Sequence, residues 1–305
     1  MKTALAALLF ALAASASAQQ SPTYSKNVSV VNLLATVHDR NGRIVNNLTA
    51  DDFILKEDGF PRKIRYFTQE SNLPLSVGLL VDTSRSQQDV LDEESRASSA
   101  FLDQVLRDSD QAFVAHFDVS DEVLQGLTSS RQDLAAALAR LSVPDQVATL
   151  LYSAVQDASH NVMGAQSGRK AEILLTDGVA YKDPVSIDTA IESAQRADTL
   201  LFSIRFSDPG QARRPLRAAF IAAVKEHGKA GLERMSEETG GVSYEVTGNQ
   251  SLSAIYSSIE EELRNQYSIG YDPGRPGPDG KYHKIELMAK DRHLIVTTRA
   301  GYFAK

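Results

Sequence analysis

Cysteine is absent from all 305 residues, which excludes disulfides, zinc fingers, iron–sulfur clusters and a cysteine nucleophile. An excess of positive charge is lacking too. The 32 Lys and Arg stand against 39 Asp and Glu, a formal net charge of −7 that becomes −8 if a leader carrying Lys2 is removed. That balance argues against non-specific binding to nucleic acid or to an anionic membrane. Gly (18) and Pro (10) occur in ordinary numbers and heptads are missing, so the chain is not collagenous, coiled-coil or disordered. No apolar run beyond the N-terminus is long enough for a bilayer, which takes about 20 residues. What is there, 42% apolar residues in regular runs, suffices for the core of one large domain or two.

The N-terminus has the make-up of an export signal. Met1-Lys2 supplies positive charge, Ala4 to Ala14 an apolar stretch, and Ala16-Ser17-Ala18 a small-x-small cleavage site. Residues 1–18 are therefore read as a signal peptide. The mature chain is expected to be exported, to the periplasm or outside the cell, with no integral membrane segment after cleavage. Without cysteine it has neither disulfides nor an N-terminal lipid attachment, so its stability must come from packing.

Three zones follow. In residues 19–72, Val28 to His38, Phe53 to Glu57 and Lys63 to Phe67 are strand-like, with Asp39-Arg40-Asn41-Gly42 as a hairpin turn. In residues 73–265, buried-strand runs alternate with amphipathic helices, the pattern of βα units and a mostly parallel sheet. The strands expected there are Ser76–Val81, Ala112–Phe117, Glu172–Thr176, Leu200–Ile204 and Val242–Val246. The helical stripes are Ala97/Phe101/Val105, Leu134/Leu138/Leu141, Leu151/Val155/Ala158/Val162, Ile187/Ile191/Ala194 and Leu252/Ile255/Ile259/Leu263, read as core faces. Ser129-x-x-Gln132 is expected to cap the second of these helices. Residues 266–305 return to strands (Gln266–Tyr271, Lys284–Met288, Leu294–Thr298), with turns at Asp272-Pro273-Gly274 and Pro278-Asp279-Gly280. Neither terminal set buries a sheet face alone. The expected architecture is a doubly wound α/β unit inserted in a small β-sandwich built from both ends of the chain.

The chemistry concentrates at two strand ends. Ser76–Val81 runs into Asp82-Thr83-Ser84-Arg85-Ser86, and Glu172–Thr176 into Asp177-Gly178. Ligands of open parallel sheets bind outside the carboxyl ends of strands where strand order reverses. Side chains two apart in an extended loop point the same way, so Asp82, Ser84 and Ser86 can converge on one point. Hydroxyls with few carboxylates suit a hard divalent cation of the magnesium type, left electrophilic enough to accept an outside carboxylate. Catalytic arrangements are missing. No His stands in either loop, there is no Gly-x-Ser-x-Gly, no phosphate-binding glycine loop and no second carboxylate at Ser84.

With its strand contexts, Asp82-x-Ser84-x-Ser86 resembles the first element of the metal-ion-dependent adhesion site of von Willebrand factor type A domains. Asp177 within Leu174-Leu175-Thr176-Asp177-Gly178 resembles its last element. The resemblance implies a third hydroxyl ligand on an intervening loop, matched by Thr149 in Val147-Ala148-Thr149-Leu150-Leu151-Tyr152. Thr128 is an alternative that a strand-to-helix turn explains better. It further implies Mg2+ or Mn2+ held by Asp82, Ser84, Ser86, Thr149 and Asp177, with a Glu or Asp of a partner protein completing the coordination. Two departures stand out: relatives usually carry Gly and an acid where Ala148 and Ser153 stand here. Arg85, inside the signature, either meets the incoming carboxylate or points to solvent. Outside the site, Asp39-x-x-Gly42, Leu48-Thr49-Ala50-Asp51-Asp52-Phe53, Glu57-Asp58-Gly59, Thr239-Gly240-Gly241, Glu262 to Tyr267 and Arg299 to Phe303 look like exported proteins bearing an acidobacterial form of this domain.

The functional expectation is a non-enzymatic, metal-dependent protein-binding module. The alternatives are a structural envelope protein with a non-functional metal site and, behind it, a hydrolase. The six histidines, His38, His116, His160, His227, His283 and His293, have no ligand spacing and are read as surface or core residues. Arg213, Arg214, Arg217, Lys225 and Lys229 are read as the solvated face of a helix, and Asp51 and Asp52 as turn acids.

Overall fold

The computed structural model describes residues 30–69, 73–206, 215–274 and 279–304. The leader, Arg213, Arg214 and Pro278 lie outside these. Four strands open the described chain: β1 (Val31–His38), β2 (Phe53–Glu57), β3 (Phe60–Arg62) and β4 (Ile64–Gln69). After β1, Gly42 adopts φ 75° and donates its N–H to the Asp39 carbonyl at 3.0 Å. Asn41 has no positive φ, so this is a type I turn closed by a left-handed glycine and not the two-residue mirror-image turn that Asn-Gly suggests.

The α/β unit comprises β5 (Leu75–Asp82), α1 (Leu91–Val105), β6 (Gln111–Phe117), β7 (Asp121–Thr128), α2 (Arg131–Leu138), α3 (Leu151–Asp157), β8 (Arg169–Thr176), α4 (Ile187–Arg196), β9 (Leu200–Phe206), α5 (Pro215–Thr239), β10 (Ser243–Val246) and α6 (Leu252–Arg264). Its sheet has the order β10-β9-β8-β5-β6-β7 and is parallel except for β7. Every residue of β5, β8 and β9 is buried, as expected of strands covered on both faces. On one face Val77, Leu79 and Val114 pack against Phe101 of α1, Leu134 of α2 and Ile255 of α6. On the other, Leu80, Phe113 and Leu174 pack against Val155 of α3, Ile191 of α4 and Leu232 of α5. From β5 the next strand lies on one side and β8 on the other. Strand order therefore reverses between β5 and β8.

The remaining strands are β11 (Tyr267–Tyr271), β12 (Tyr282–Ala289), β13 (Ile295–Thr298) and β14 (Gly301–Phe303). They join the N-terminal strands in two antiparallel sheets, β13-β1-β11-β4 and β14-β12-β2-β3. Leu33, Ala35 and Ile269 of one sheet share a core with Leu55, Ile285 and Leu287 of the other. Ring centroids of Phe53, Phe67 and Tyr267 lie 5.2–5.8 Å apart within it. The chain enters the α/β unit from β4 and leaves through α6 into β11. Those two strands are themselves paired, from Gln69↔Tyr267 to Ile64↔Tyr271. The insertion of the α/β unit into a sandwich of both termini is thus realised in strand pairing.

Two local expectations shift. Helix α2 is capped by Ser130, whose Oγ accepts the Asp133 N–H at 3.2 Å, and not by Ser129; Thr128 Oγ1 accepts the Ser130 N–H and holds the turn one residue later. Strand β7 leaves no apolar signature in the sequence because it is a half-exposed edge strand whose Asp121, Glu122 and Gln125 interrupt any apolar run. Among the described residues no helix is long and apolar enough to cross a membrane.

Candidate metal centre

Asp82 is the last residue of β5 and Asp177 follows the last residue of β8. Both therefore stand at the reversal point of the sheet, on the carboxyl side of their strands. After Asp82 the chain turns outward through an extended Ser84 (φ −62°, ψ 160°) into a short 3-10 turn, Arg85–Gln87. That geometry brings Ser84 Oγ within 3.0 Å of Ser86 Oγ. Asp82 is fully buried; its Oδ1 accepts the Ser84 N–H at 2.8 Å and its Oδ2 the Thr176 hydroxyl at 2.6 Å. Thr176 in turn accepts the Gly178 N–H at 3.0 Å, so β5 and the loop after β8 are stitched together under the site. Thr176 is a further participant, whose role follows from the pairing of β5 with β8 and leaves no spacing pattern.

Thr149 is brought to the same place by a device that the sequence does not announce. It forms a two-way backbone bridge with Tyr181, 2.9 and 3.0 Å, which ties its loop to the one carrying Asp177. The acid missing at Ser153 is supplied from that second loop. Asp183 accepts the N–H groups of Tyr152 (2.6 Å) and Ser153 (3.2 Å) and the Ser153 hydroxyl (2.6 Å), capping α3 from outside. Ser153 is therefore a compensated departure. Ser84, Ser86, Thr149 and Asp177 all line one open pocket of about 280 Å³, and Thr128 does not. Val147, Val179, Tyr181, Ile221 and Val224 form an apolar collar around it, with Arg85 and Lys225 at the rim. The Arg85 guanidinium reaches the Asp145 carbonyl at 3.4 Å and is largely exposed.

The electrostatics follow from burying two carboxylates side by side. Burial, and then the neighbouring Asp177 carboxylate, push the Asp82 carboxyl up to about 7 against the pull of its hydrogen bonds from Ser84 and Thr176. A third acid, Glu94 of α1, is buried, and among the described residues neither carboxylate oxygen has a hydrogen-bond partner. Burial first, then the charge of Asp82, push it up to about 9. Two apposed acids with three hydroxyls form an oxygen-only donor set fitting a hard divalent ion.

A pair of glycines sets how close α5 comes to this centre. Gly178 has φ 85°, and a Cβ on it would lie 2.7 Å from the Gly228 carbonyl; one on Gly228 would lie 2.8 Å from the Gly178 carbonyl. Gly228 sits mid-helix, where glycine costs about 1 kcal/mol, and the close approach accounts for it. Gly228→Ala is expected to destabilise by about 1–3 kcal/mol through overpacking, and to weaken divalent-ion binding by pushing the Asp177 loop aside. At Gly231 an added Cβ meets only ordinary contacts at 3.5 Å, so Gly231→Ala should be neutral or stabilising. Thermal unfolding of the two variants with and without Mg2+ checks the contrast; equal behaviour would refute it.

No curated protein sequence matches the chain significantly. Among solved structures it is similar to the conserved hypothetical protein BatB from Bacteroides thetaiotaomicron (16% identity, 63% of this chain and 100% of that one, TM-score 0.48). It is similar also to proximal thread matrix protein 1 from the mussel byssus, solved with a zinc-occupied MIDAS motif (16% identity, 68% and 49%, TM-score 0.51). A third is the pilus adhesin SpaC from Lactobacillus rhamnosus GG in an open conformation (11% identity, 81% and 47%, TM-score 0.50). The chain spans about half of each of the latter two, and at these identities the likeness is one of fold. The model of the von Willebrand factor type A domain matches residues 76–258, more than half of the sequence, and the chain belongs to that family.

Proposed function

We propose that this chain is an exported, non-enzymatic protein-binding module that holds Mg2+ or Mn2+ through Asp82, Ser84, Ser86, Thr149 and Asp177 and uses it to grip a Glu or Asp of a partner protein. The observation that carries the reading is the convergence of three hydroxyls and the Asp177 carboxylate on one pocket above the buried Asp82. A bound cation supplies an electrophilic position for a carboxylate oxygen. The protein's own residues do the rest. Thr176 and the Ser84 amide orient Asp82, the Thr149–Tyr181 bridge fixes the third hydroxyl, and Asp183 holds the start of α3 in place.

The collar bears on what the partner looks like. Exposed Val147 and Tyr181, with Ile221 and Val224, favour an acidic residue flanked by apolar ones, and Arg85 and Lys225 add attraction for negative charge. Export rests on Met1 to Ala18, and the segments flanking the α/β unit support placement among the exported, acidobacterial-type members.

The test is binding of immobilised peptides that differ only in Glu, Gln or Ala at a central position within an apolar context. Retention of the Glu peptide in Mg2+, its loss in chelator, and its loss in Asp82→Ala and Asp177→Ala variants that still fold are expected. Retention that ignores both the chelator and the Glu→Gln exchange would overturn the reading.

A further inference from the structure

Three chain segments bring hydroxyls and carboxylates to the pocket above Asp82, and each pair of segments is joined by hydrogen bonds. Thr176 ties the end of β8 to Asp82, and Tyr181 ties the Asp177 loop to Thr149. The third joint, between the loop after β5 and the segment leading to Thr149, runs through Asp118. This residue stands directly after β6 and is buried. Its backbone carbonyl accepts the Leu150 N–H at 3.0 Å, one residue beyond Thr149. Its Oδ2 accepts the Thr83 hydroxyl at 2.6 Å, one residue beyond Asp82.

Donor and acceptor chemistry fixes how this joint is made. As a carboxylate Asp118 only accepts, so the single O–H of Thr83 is spent on it. The Thr83 oxygen keeps its lone pairs for His116, whose Nδ1 stands 3.1 Å from it and 3.3 Å from Asp118 Oδ2. With the ring proton on Nδ1, His116 donates to both. Asp118 Oδ1 accepts the N–H groups of Val119 and, at 3.3 Å, of Ser120. Both carboxylate oxygens are therefore held, and the side chain has no freedom to swing.

The turn after β6 does not itself call for Thr83. The Oδ1 bonds, with the Asp118 N–H on the Ser120 carbonyl at 2.9 Å, close that turn alone. What the Oδ2 bond adds is a link to the neighbouring loop. Thr83 is fully buried between Asp82 and Ser84, where an apolar side chain would avoid the cost of desolvating a hydroxyl. Among the described residues the one other hydrogen bond between these two loops is the exposed Arg85 contact with the Asp145 carbonyl. At 3.4 Å it is too long to fix a spacing.

We propose that Asp118, through Thr83 on one side and Leu150 on the other, is a positioning residue for the metal centre. It sets the span between the hydroxyls of Ser84 and Ser86 and that of Thr149. The inference rests on the proposed metal-binding function and deepens it. Without the joint each loop keeps its own hydroxyl, but the three are no longer held at one spacing. An ion that demands near-octahedral geometry is sensitive to that loss.

The test is titration of the full chain with Mn2+, followed by electron paramagnetic resonance, with thermal unfolding in chelator as the measure of folding. Thr83→Val is expected to weaken Mn2+ binding about 10–100-fold, the usual effect of removing a group that orients metal ligands. Thr83→Ser, which keeps the hydroxyl, should recover most of that loss. Ser98→Ala removes another buried hydroxyl, 2.7 Å from that of Tyr256, and should leave Mn2+ affinity unchanged, which separates lost positioning from lost stability. In a Thr149→Ala background the span has no far end to place, so adding Thr83→Val should cost little more affinity. Should Thr83→Val fail to fold, Thr83→Ala takes its place, since it sets no methyl against the Asp118 carboxylate. Unchanged affinity in Thr83→Val would overturn the proposal and leave the metal site standing. So would losses that multiply in full with that of Thr149→Ala, because Thr83 would then act on Asp82 and Ser84 alone. A wild-type chain that binds no Mn2+ would overturn both readings.

Discussion

Asp82→Asn is expected to abolish stabilisation by Mg2+ or Mn2+ and, in chelator above pH 7, to make the protein more stable than wild type. The two halves follow from one observation. Wild-type Asp82 is buried beside Asp177 and its carboxyl is pushed up to about 7. In the unfolded chain it ionises near 4. Its ionisation thus costs folding free energy that is absent below pH 4, grows with rising pH and is complete above pH 7, on the order of 4 kcal/mol. Asn removes that cost while accepting the Ser84 N–H in the same way. A divalent ion stabilises wild type by about 2.7 kcal/mol at a hundredfold excess over its Kd, and the variant has lost the carboxylate that responds. Calorimetry at pH 5 and pH 8, in chelator and in Mg2+, separates the contributions. If Asp82 were instead a structural cap, Asn would lower stability at both pH values and leave the Mg2+ response in place. That pattern would sink the site assignment.

The layout of the fold was legible because burial writes itself into composition. Strands covered on both faces read as continuous apolar runs, and β5, β8 and β9 were located from Val, Leu and Ile alone. Elements with weaker patterning were not. β7 is a polar edge strand, β14 has three residues, and α5 combines a glycine-lined face with a charged one, leaving little apolar contrast. Pairing between β1 and β11, more than 230 residues apart in sequence, followed only from the need of each terminal set for a partner.

The candidate site divides in the same way. Asp82, Ser84 and Ser86 are local in sequence, so spacing alone puts them on one loop. Thr149 could be placed only by resemblance, because what holds it is a backbone bridge to Tyr181 and a cap from Asp183 that reaches back to Ser153. Neither leaves a spacing pattern. His283 marks the limit: the acids around it, Glu57 and Asp58, are about 225 positions away and come to it only through the register of β2 and β12.

Glu172→Gln is expected to remove a second pH-dependent loss of stability, on the same face of the sheet but toward the opposite end of the strands, where Glu172 pairs with Gly78 of β5. The sequence placed Glu172 at the start of a strand, where an acid is unremarkable; the strand in fact begins at Arg169, so the carboxyl lies inside a fully buried run. Its Oε1 accepts the Ser159 hydroxyl at 3.1 Å and its Oε2 has no partner among the described residues. Ser159 belongs to the π-helical turn Ala158–Val162 that follows α3. Burial pushes the carboxyl up to about 8, with Ser159 pulling weakly the other way. The native state therefore holds this proton to higher pH than the unfolded chain does. Stability should be unaffected by Glu172 below about pH 4.5, fall as pH rises toward 8, and carry the full cost beyond, on the order of 4–5 kcal/mol. In the Gln variant that contribution is flat, since a neutral amide can still accept from Ser159. The gap between variant and wild type, measured by urea unfolding from pH 5 to pH 9 in chelator, should widen steadily with pH. A gap that does not move with pH would mean that water reaches Glu172 and that the strand is not sealed on that face. In a double variant with Asp82→Asn the two gains should add, because the carboxyls stand at different positions along separate strands and neither perturbs the other.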